Sequence, residues 1–200
     1  MMRDKVSFGR ALKLFWSNYV NFKGRSRRSE YWYAMLWNLI FTSPALVCLF
    51  IGYVILMVGG VNLDISIIII GGALILLGYF YCIVYGLATL IPNLAILVRR
   101  FHDLSFSMRI PIWYMIVVFV ISLITNLISL QDNWLDNGFV LFLFYILLII
   151  QWVISIIVIV MVSLNGKKET NKYGPSPKFT EYATEYKGEN HNPVDKTKSN

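Results

Sequence analysis

Two long stretches of this chain carry almost no charge. Residues 31–98 number 68 and include one ionisable acid or base, Asp64; residues 110–166 number 57 and include two, Asp132 and Asp136. A helix on the outside of a water-soluble core needs a polar face, and neither stretch has one. Hydrophobic residues make up 57% of the 200 and charged residues only 14%, about half the charged share of a typical soluble domain. These runs exclude a free cytosolic globule and disorder for most of the chain. They require a lipid solvent.

A hydrocarbon core about 30 Å thick takes roughly 20 apolar residues per helix. The first stretch is too long for one crossing and is interrupted by the turn-prone Gly59-Gly60-Val61-Asn62-Leu63-Asp64. The second is interrupted by residues 131–138, QDNWLDNG. The chain is therefore expected to be all-α, a polytopic integral membrane protein with four transmembrane helices at about 31–58, 65–91, 111–130 and 139–164. Pro92 is expected to kink or end the second span, and Pro111 suits the first turn of the third. Tyr31, Trp32, Tyr33, Trp113, Tyr114 and Trp134 fall near span ends, where aromatic belts form. The apolar runs are continuous rather than alternating, which excludes a transmembrane barrel.

Orientation follows from lysine and arginine. Eight of the 18 precede the first span (Arg3, Lys5, Arg10, Lys13, Lys23, Arg25, Arg27, Arg28). Three lie in the middle loop (Arg99, Arg100, Arg109) and seven follow Leu164. The other two loops hold none, so both termini and the middle loop are expected to be cytoplasmic. No short h-region with a small-residue cleavage site is present, so a cleaved signal peptide is not expected. Ser7 to Val20 reads as an amphipathic interfacial helix, with Phe8, Ala11, Leu12, Phe15, Trp16 and Tyr19 on one face and Arg10, Lys13 and Ser17 elsewhere. It could lie among lipid head groups or pack as a cover beneath the bundle. Residues 1–179 form the expected membrane domain and 180–200, with His191, a disordered cytoplasmic tail. Cys48 and Cys82 fall at different depths and are not expected to pair.

Gly78, Cys82 and Gly86 recur at four-residue steps, a small-residue face suited to helix packing. Two polar clusters flank the apolar runs. One is FKGRSRRSEYW at residues 22–32, with Arg25, Arg28 and Glu30; the other is RRFHD at 99–103, with Arg99, Arg100, His102 and Asp103. On a helix Arg99, His102 and Asp103 share a face. The acids and the arginines can form a polar network, or the guanidinium forks can hold an anion such as phosphate. Orientation alone explains several arginines but not the joint presence of Glu30, His102 and Asp103, because acids contribute little to topology.

At these residues the chain resembles a family of bacterial inner-membrane proteins, the YhaH type, known only as domain of unknown function 805. The resemblance rests on FKGR-x-x-R-S-E-Y-W, on I-P-x-L-A-x-x-V-R-R-x-H-D at residues 91–103 and on N-K-Y-G-P-x-P at 171–177, in that order, over roughly residues 8–178. It implies a small multi-pass protein of the bacterial inner membrane and brings no known activity. Two features depart from the family. The turn after Asp103 reads Leu104-Ser105-Phe106-Ser107-Met108-Arg109 without the family's glycine and tryptophan pair, and Arg27 stands where a small residue is usual.

Of the functions open to such a chain, a non-enzymatic scaffold, interaction or regulatory protein is the expected one. Its basic inner face would engage anionic lipid or a protein partner, including a second copy of the chain. No nucleic-acid-binding fold accompanies the charge. A small oligomeric transporter or channel component is the alternative, with Asn38, Thr42, Asn126 and Gln151 as its only polar groups at depth. An enzyme acting on a lipid head group comes third, with His102 and Asp103 as base and orienter. It is disfavoured because HExxH, GxSxG and P-loop patterns, metal-ligand sets and cofactor motifs are all absent from the sequence.

Overall fold

A computed structural model describes residues 6–131 and 134–178. The expected tail at 180–200 and Asp132 lie outside the described residues. The described chain is helical: α1 (Phe8–Ser17), α2 (Arg28–Asn62), α3 (Ile65–Asp103), α4 (Arg109–Ser129) and α5 (Gly138–Ser163), with one 3₁₀ turn at Trp134–Asp136. Four helices, α2 to α5, are long and apolar enough to cross a membrane. The described residues group into two compact units. One comprises Phe22–Tyr31 and the chain from Ile96 onward; the other comprises Val6–Asn21 and Trp32–Ala95.

In the second unit, α2 and α3 meet through glycines. A Cβ on Gly71 would come within 2.6 Å of the Leu56 nitrogen and 2.9 Å of the Gly52 carbonyl, closer than any side chain allows. Gly78 sits against Leu49 in the same way, while a Cβ at Gly86 would meet nothing within 4 Å. Such contacts let two backbones approach where lipid offers no hydrophobic drive to associate. The helix α2 runs through Gly59-Gly60 and stops at Asn62. Leu63 takes a left-handed φ of 54°, and the Asp64 carboxylate caps α3 by accepting from the Ser66 and Ile67 amides at 2.9 and 3.4 Å.

Pro92 was expected to kink or end the second span near residue 91. The helix does not end there: it continues to Asp103, 39 residues and about 58 Å if straight. Proline removes one backbone bond and frees the carbonyl four residues earlier, Ala88. The Tyr19 hydroxyl donates to that oxygen at 2.8 Å. The same repair occurs in α2, where Pro44 frees the Ile40 carbonyl and Ser43 Oγ donates to it at 2.8 Å; Tyr81 Oη donates to Phe41 O, also at 2.8 Å. Hydroxyls standing in for the lost amide are what make proline tolerable in apolar surroundings.

The first helix, α1, begins at Ser7, whose Oγ accepts from the Arg10 amide at 3.4 Å. It buries Ala11 and Phe15 and stacks Phe8 on Trp37 at 4.3 Å, with Trp37 Nε1 donating to the Phe8 carbonyl at 3.0 Å. In the first unit, α4 and α5 lie together, with Asn137 capping α5 through the Phe139 and Val140 amides. Leu97, Phe101, Val158 and Val162 form its apolar core, with Tyr31, Tyr114 and Met161 packed around them.

Candidate functional site

The first unit gathers the charged residues of both clusters beside the segment that follows α5. That segment, from Leu164 to Lys178, forms no helix and only one isolated bridge, between Asn171 and Gly174. Its carbonyls therefore lack helical partners, and a carbonyl held away from water without a donor is costly. Arginine supplies donors only, five per side chain.

Arg25 uses its whole fork this way. Nε donates to Asp103 Oδ1 at 2.9 Å, Nη1 to Glu169 O at 2.8 Å and Gly174 O at 3.3 Å, and Nη2 to Asp103 O at 3.4 Å and to Lys167 O. Arg100, fully buried, donates from Nε to Val162 O at 3.0 Å, from Nη1 to Ser26 O at 3.5 Å and to Asp103 Oδ2, and from Nη2 to Leu164 O. Arg27 Nε reaches Pro177 O at 2.6 Å, and Arg28 Nη1 reaches Ser163 O at 3.0 Å. Four arginines thus bind seven carbonyls between Val162 and Pro177.

The two acids anchor the cluster. Asp103 is shared by Arg25 and Arg100, and Glu30 pairs with Arg99 Nη1 at 3.3 Å. Burial pushes the Glu30 carboxyl above its ordinary range, and the neighbouring Arg99 guanidinium offsets only part of that push. Gly166 packs directly on Asp103: a Cβ there would overlap the carboxylate, which two arginines hold in place.

His102 is placed differently from Asp103. Its ring stacks on Tyr173 at 3.7 Å and 7°, Nδ1 lies 3.2 Å from the Gly24 carbonyl, and Nε2 is buried with no hydrogen-bond partner among the described residues. Burial pushes its pKa below the usual 6.5; the Gly24 carbonyl pulls upward and Lys172 adds to the lowering. The neutral ring thus carries its proton on Nδ1, donated to Gly24. No hydrogen bond joins His102 to Asp103, whose oxygens face arginines. The His102 carbonyl accepts from Asn171 Nδ2 at 2.9 Å, which also reaches Ser105 Oγ at 3.1 Å.

The turn after Asp103 keeps a glycine-type geometry without glycine. Ser105 has φ 69°, its amide donates to His102 O at 3.0 Å, and the Phe106 amide donates to Phe101 O at 2.9 Å. Phe106 also packs on Phe101, with ring centroids 6.3 Å apart. This is the Schellman closure of a helix, with serine in the left-handed position.

Arg25, Arg28, Glu30, Arg99, Arg100, His102 and Asp103 therefore all lie in one unit. Arg25 and Arg100 are both bonded to Asp103; the Glu30–Arg99 pair joins them through Ser26, and His102 through Asn171. Arg28 holds Ser163 O separately. Gly78, Cys82 and Gly86 lie in the other unit: Gly78 at a close helix contact, Cys82 and Gly86 at a cavity. Sequence reasoning missed the carbonyl-bearing segment, Ser26 and Gly166; the N-K-Y-G-P-x-P motif was the one signal pointing to it. Among the described residues no three His, Cys, Asp or Glu side chains converge as a metal site would require.

Fold and polar cluster together define a multi-pass helical membrane protein with a buried arginine clasp. Comparison with known proteins places it further. A model of the family described as protein of unknown function DUF805 matches residues 19–175, and the chain belongs to that family. It is 34% identical over 110 residues to inner membrane protein YhaH of Escherichia coli K12, a match covering 51% of this chain and 76% of that protein. The same figures hold for YhaH of Escherichia coli O157:H7. No solved structure matches the chain.

Proposed function

We propose that this chain is a non-enzymatic inner-membrane scaffold whose basic cytoplasmic face engages anionic lipid. One contrast carries the reading. The clasp arginines Arg25 and Arg100 are turned inward onto carbonyls and carboxylates, whereas Lys23, Lys167, Lys168 and Lys172 on the same unit are exposed. The clasp fixes a surface, and the lysines give it charge. Both termini face the cytoplasm on this reading, in keeping with the confinement of all 18 lysines and arginines to one set of segments. The helix α1 lies at the interface, presenting exposed Arg10, Lys13 and Trp16 to head groups.

Each lysine near an anionic surface contributes about 1 kcal/mol, so three together are worth roughly a hundredfold in affinity. Native mass spectrometry of protein released from membranes tests this. Wild type should retain phosphatidylglycerol in preference to phosphatidylcholine, and a Lys23→Gln, Lys167→Gln, Lys168→Gln variant should lose the preference while melting like wild type. Equal retention of both lipids by wild type would overturn the proposal.

A further inference from the structure

The second unit holds a polar chain that the arginine clasp does not use. Asn38, Thr42, Cys82, Tyr85 and Asn93 all lie within the nearly charge-free run 31–98. In hydrocarbon each unmade hydrogen bond costs several kcal/mol, so such groups pair wherever they can. Tyr85 Oη donates to Asn38 Oδ1 at 2.8 Å; Asn38 Nδ2 donates to Asn93 Oδ1 at 2.9 Å and Ala34 O at 3.1 Å; Thr42 Oγ1 donates to Asn38 O at 2.7 Å. The relay ends at Asn93. Its amide nitrogen carries two N–H donors and meets no acceptor among the described residues.

These residues line a cavity of about 250 Å³, open on one side, together with the Cys82 thiol and Gly86. Gly86 lies at its open side: it is exposed, and a Cβ there would meet nothing within 4 Å. No lining residue is charged. The volume would hold roughly eight waters or one small head group, less than a drug-sized ligand needs. The sequence neighbours Leu39, Ile83 and Leu87 are exposed apolar surface on which acyl chains can lie.

We infer that this cavity binds the uncharged, oxygen-bearing head of a membrane amphiphile, of the diacylglycerol kind. An ester carbonyl accepts from the idle Asn93 amide. A free hydroxyl donates to the spare lone pairs of Thr42 or Tyr85. A phosphate is rejected because the lining offers no cation to replace its water, and an ammonium because it offers no carboxylate.

Cys82 is a built-in reporter, because the sequence has one other cysteine, Cys48. A Cys48→Ser variant in phosphatidylcholine nanodiscs is labelled with a membrane-permeant maleimide, with and without dioleoylglycerol or dioleoylphosphatidylglycerol. Dioleoylglycerol is expected to slow labelling several-fold and the phosphatidylglycerol to leave it unchanged. Adding Gly86→Leu fills the cavity, so it should protect Cys82 by itself and abolish the diacylglycerol effect without lowering the melting temperature; Asn93→Leu should abolish the effect alone. Labelling indifferent to dioleoylglycerol, or slowed equally by both lipids, overturns the inference. So does a Gly86→Leu protein whose Cys82 labels as fast as before.

Discussion

A guanidinium has five N–H groups and no acceptor, so it can serve several carbonyls that no helix serves. Arg100 uses this at a fully buried position, donating to Val162, Ser26 and Leu164 carbonyls while paired with Asp103. Lysine carries the charge but cannot reach acceptors spread around a plane. Removing Asp103 leaves two buried guanidinium groups without their carboxylate, and removing Arg100 bares three carbonyls although Arg25 still pairs with Asp103; either change costs about 3–5 kcal/mol. Arg100→Ala and Asp103→Ala should each lose that much in detergent melting. Arg100→Lys should lose about half, and exposed Arg109→Ala should stay within about 0.5 kcal/mol of wild type. An Arg100→Ala protein that melts with wild type would remove the clasp from the account. The sequence showed that Glu30 and Asp103 were in excess of what topology needs, because acids are poor orientation signals. It could not show the carbonyls that the arginines bind, since a backbone carbonyl has no side-chain signature. Gly166 was equally silent, its meaning lying in the Asp103 carboxylate against it.

At the scale of elements, the four apolar helices were legible because the need to span about 30 Å of hydrocarbon sets both their length and their composition. Their ends were less so. The helix α3 was expected to kink or stop at Pro92; it does not stop there, and a residue 73 positions earlier, Tyr19, supplies the missing donor to Ala88. Only tertiary structure contains that information. It also makes a double-mutant test possible. Tyr19→Phe should cost about 1 kcal/mol by leaving the Ala88 carbonyl bare. Pro92→Ala restores the backbone amide to the same oxygen, making the hydroxyl redundant. On that background Tyr19→Phe should cost almost nothing, a coupling of about 1 kcal/mol between the two sites. Strict additivity in detergent melting would show that the hydroxyl does not replace the amide.

At the scale of the whole molecule, the proposed topology has four crossings, an even number, which puts the two ends of the chain on one side of the membrane. Which side is set by charge. The proposed orientation places the basic residues 3–28, 99–109 and 167–198 in the cytoplasm and leaves Asp64, Asp132 and Asp136 outside, a formal +10 against −3. Arg25 and Arg100 have a double duty on this reading. During insertion they hold their segments inside, and once folded they pair internally, so the orienting charge does not remain as a bare surface. The two duties separate by experiment. Fluorescent reporters that mature only in the cytoplasm should be bright at either terminus and dark when inserted after Leu63 or Asn137, whose loops carry no lysine or arginine. Replacing Arg100 with Ala should leave that pattern intact, because the eight basic residues before the first span dominate orientation. The same replacement should still destabilise the fold. A dark terminal fusion, or an inverted pattern in the Arg100→Ala protein, would mean that the clasp and the topology signal are not separable in this way.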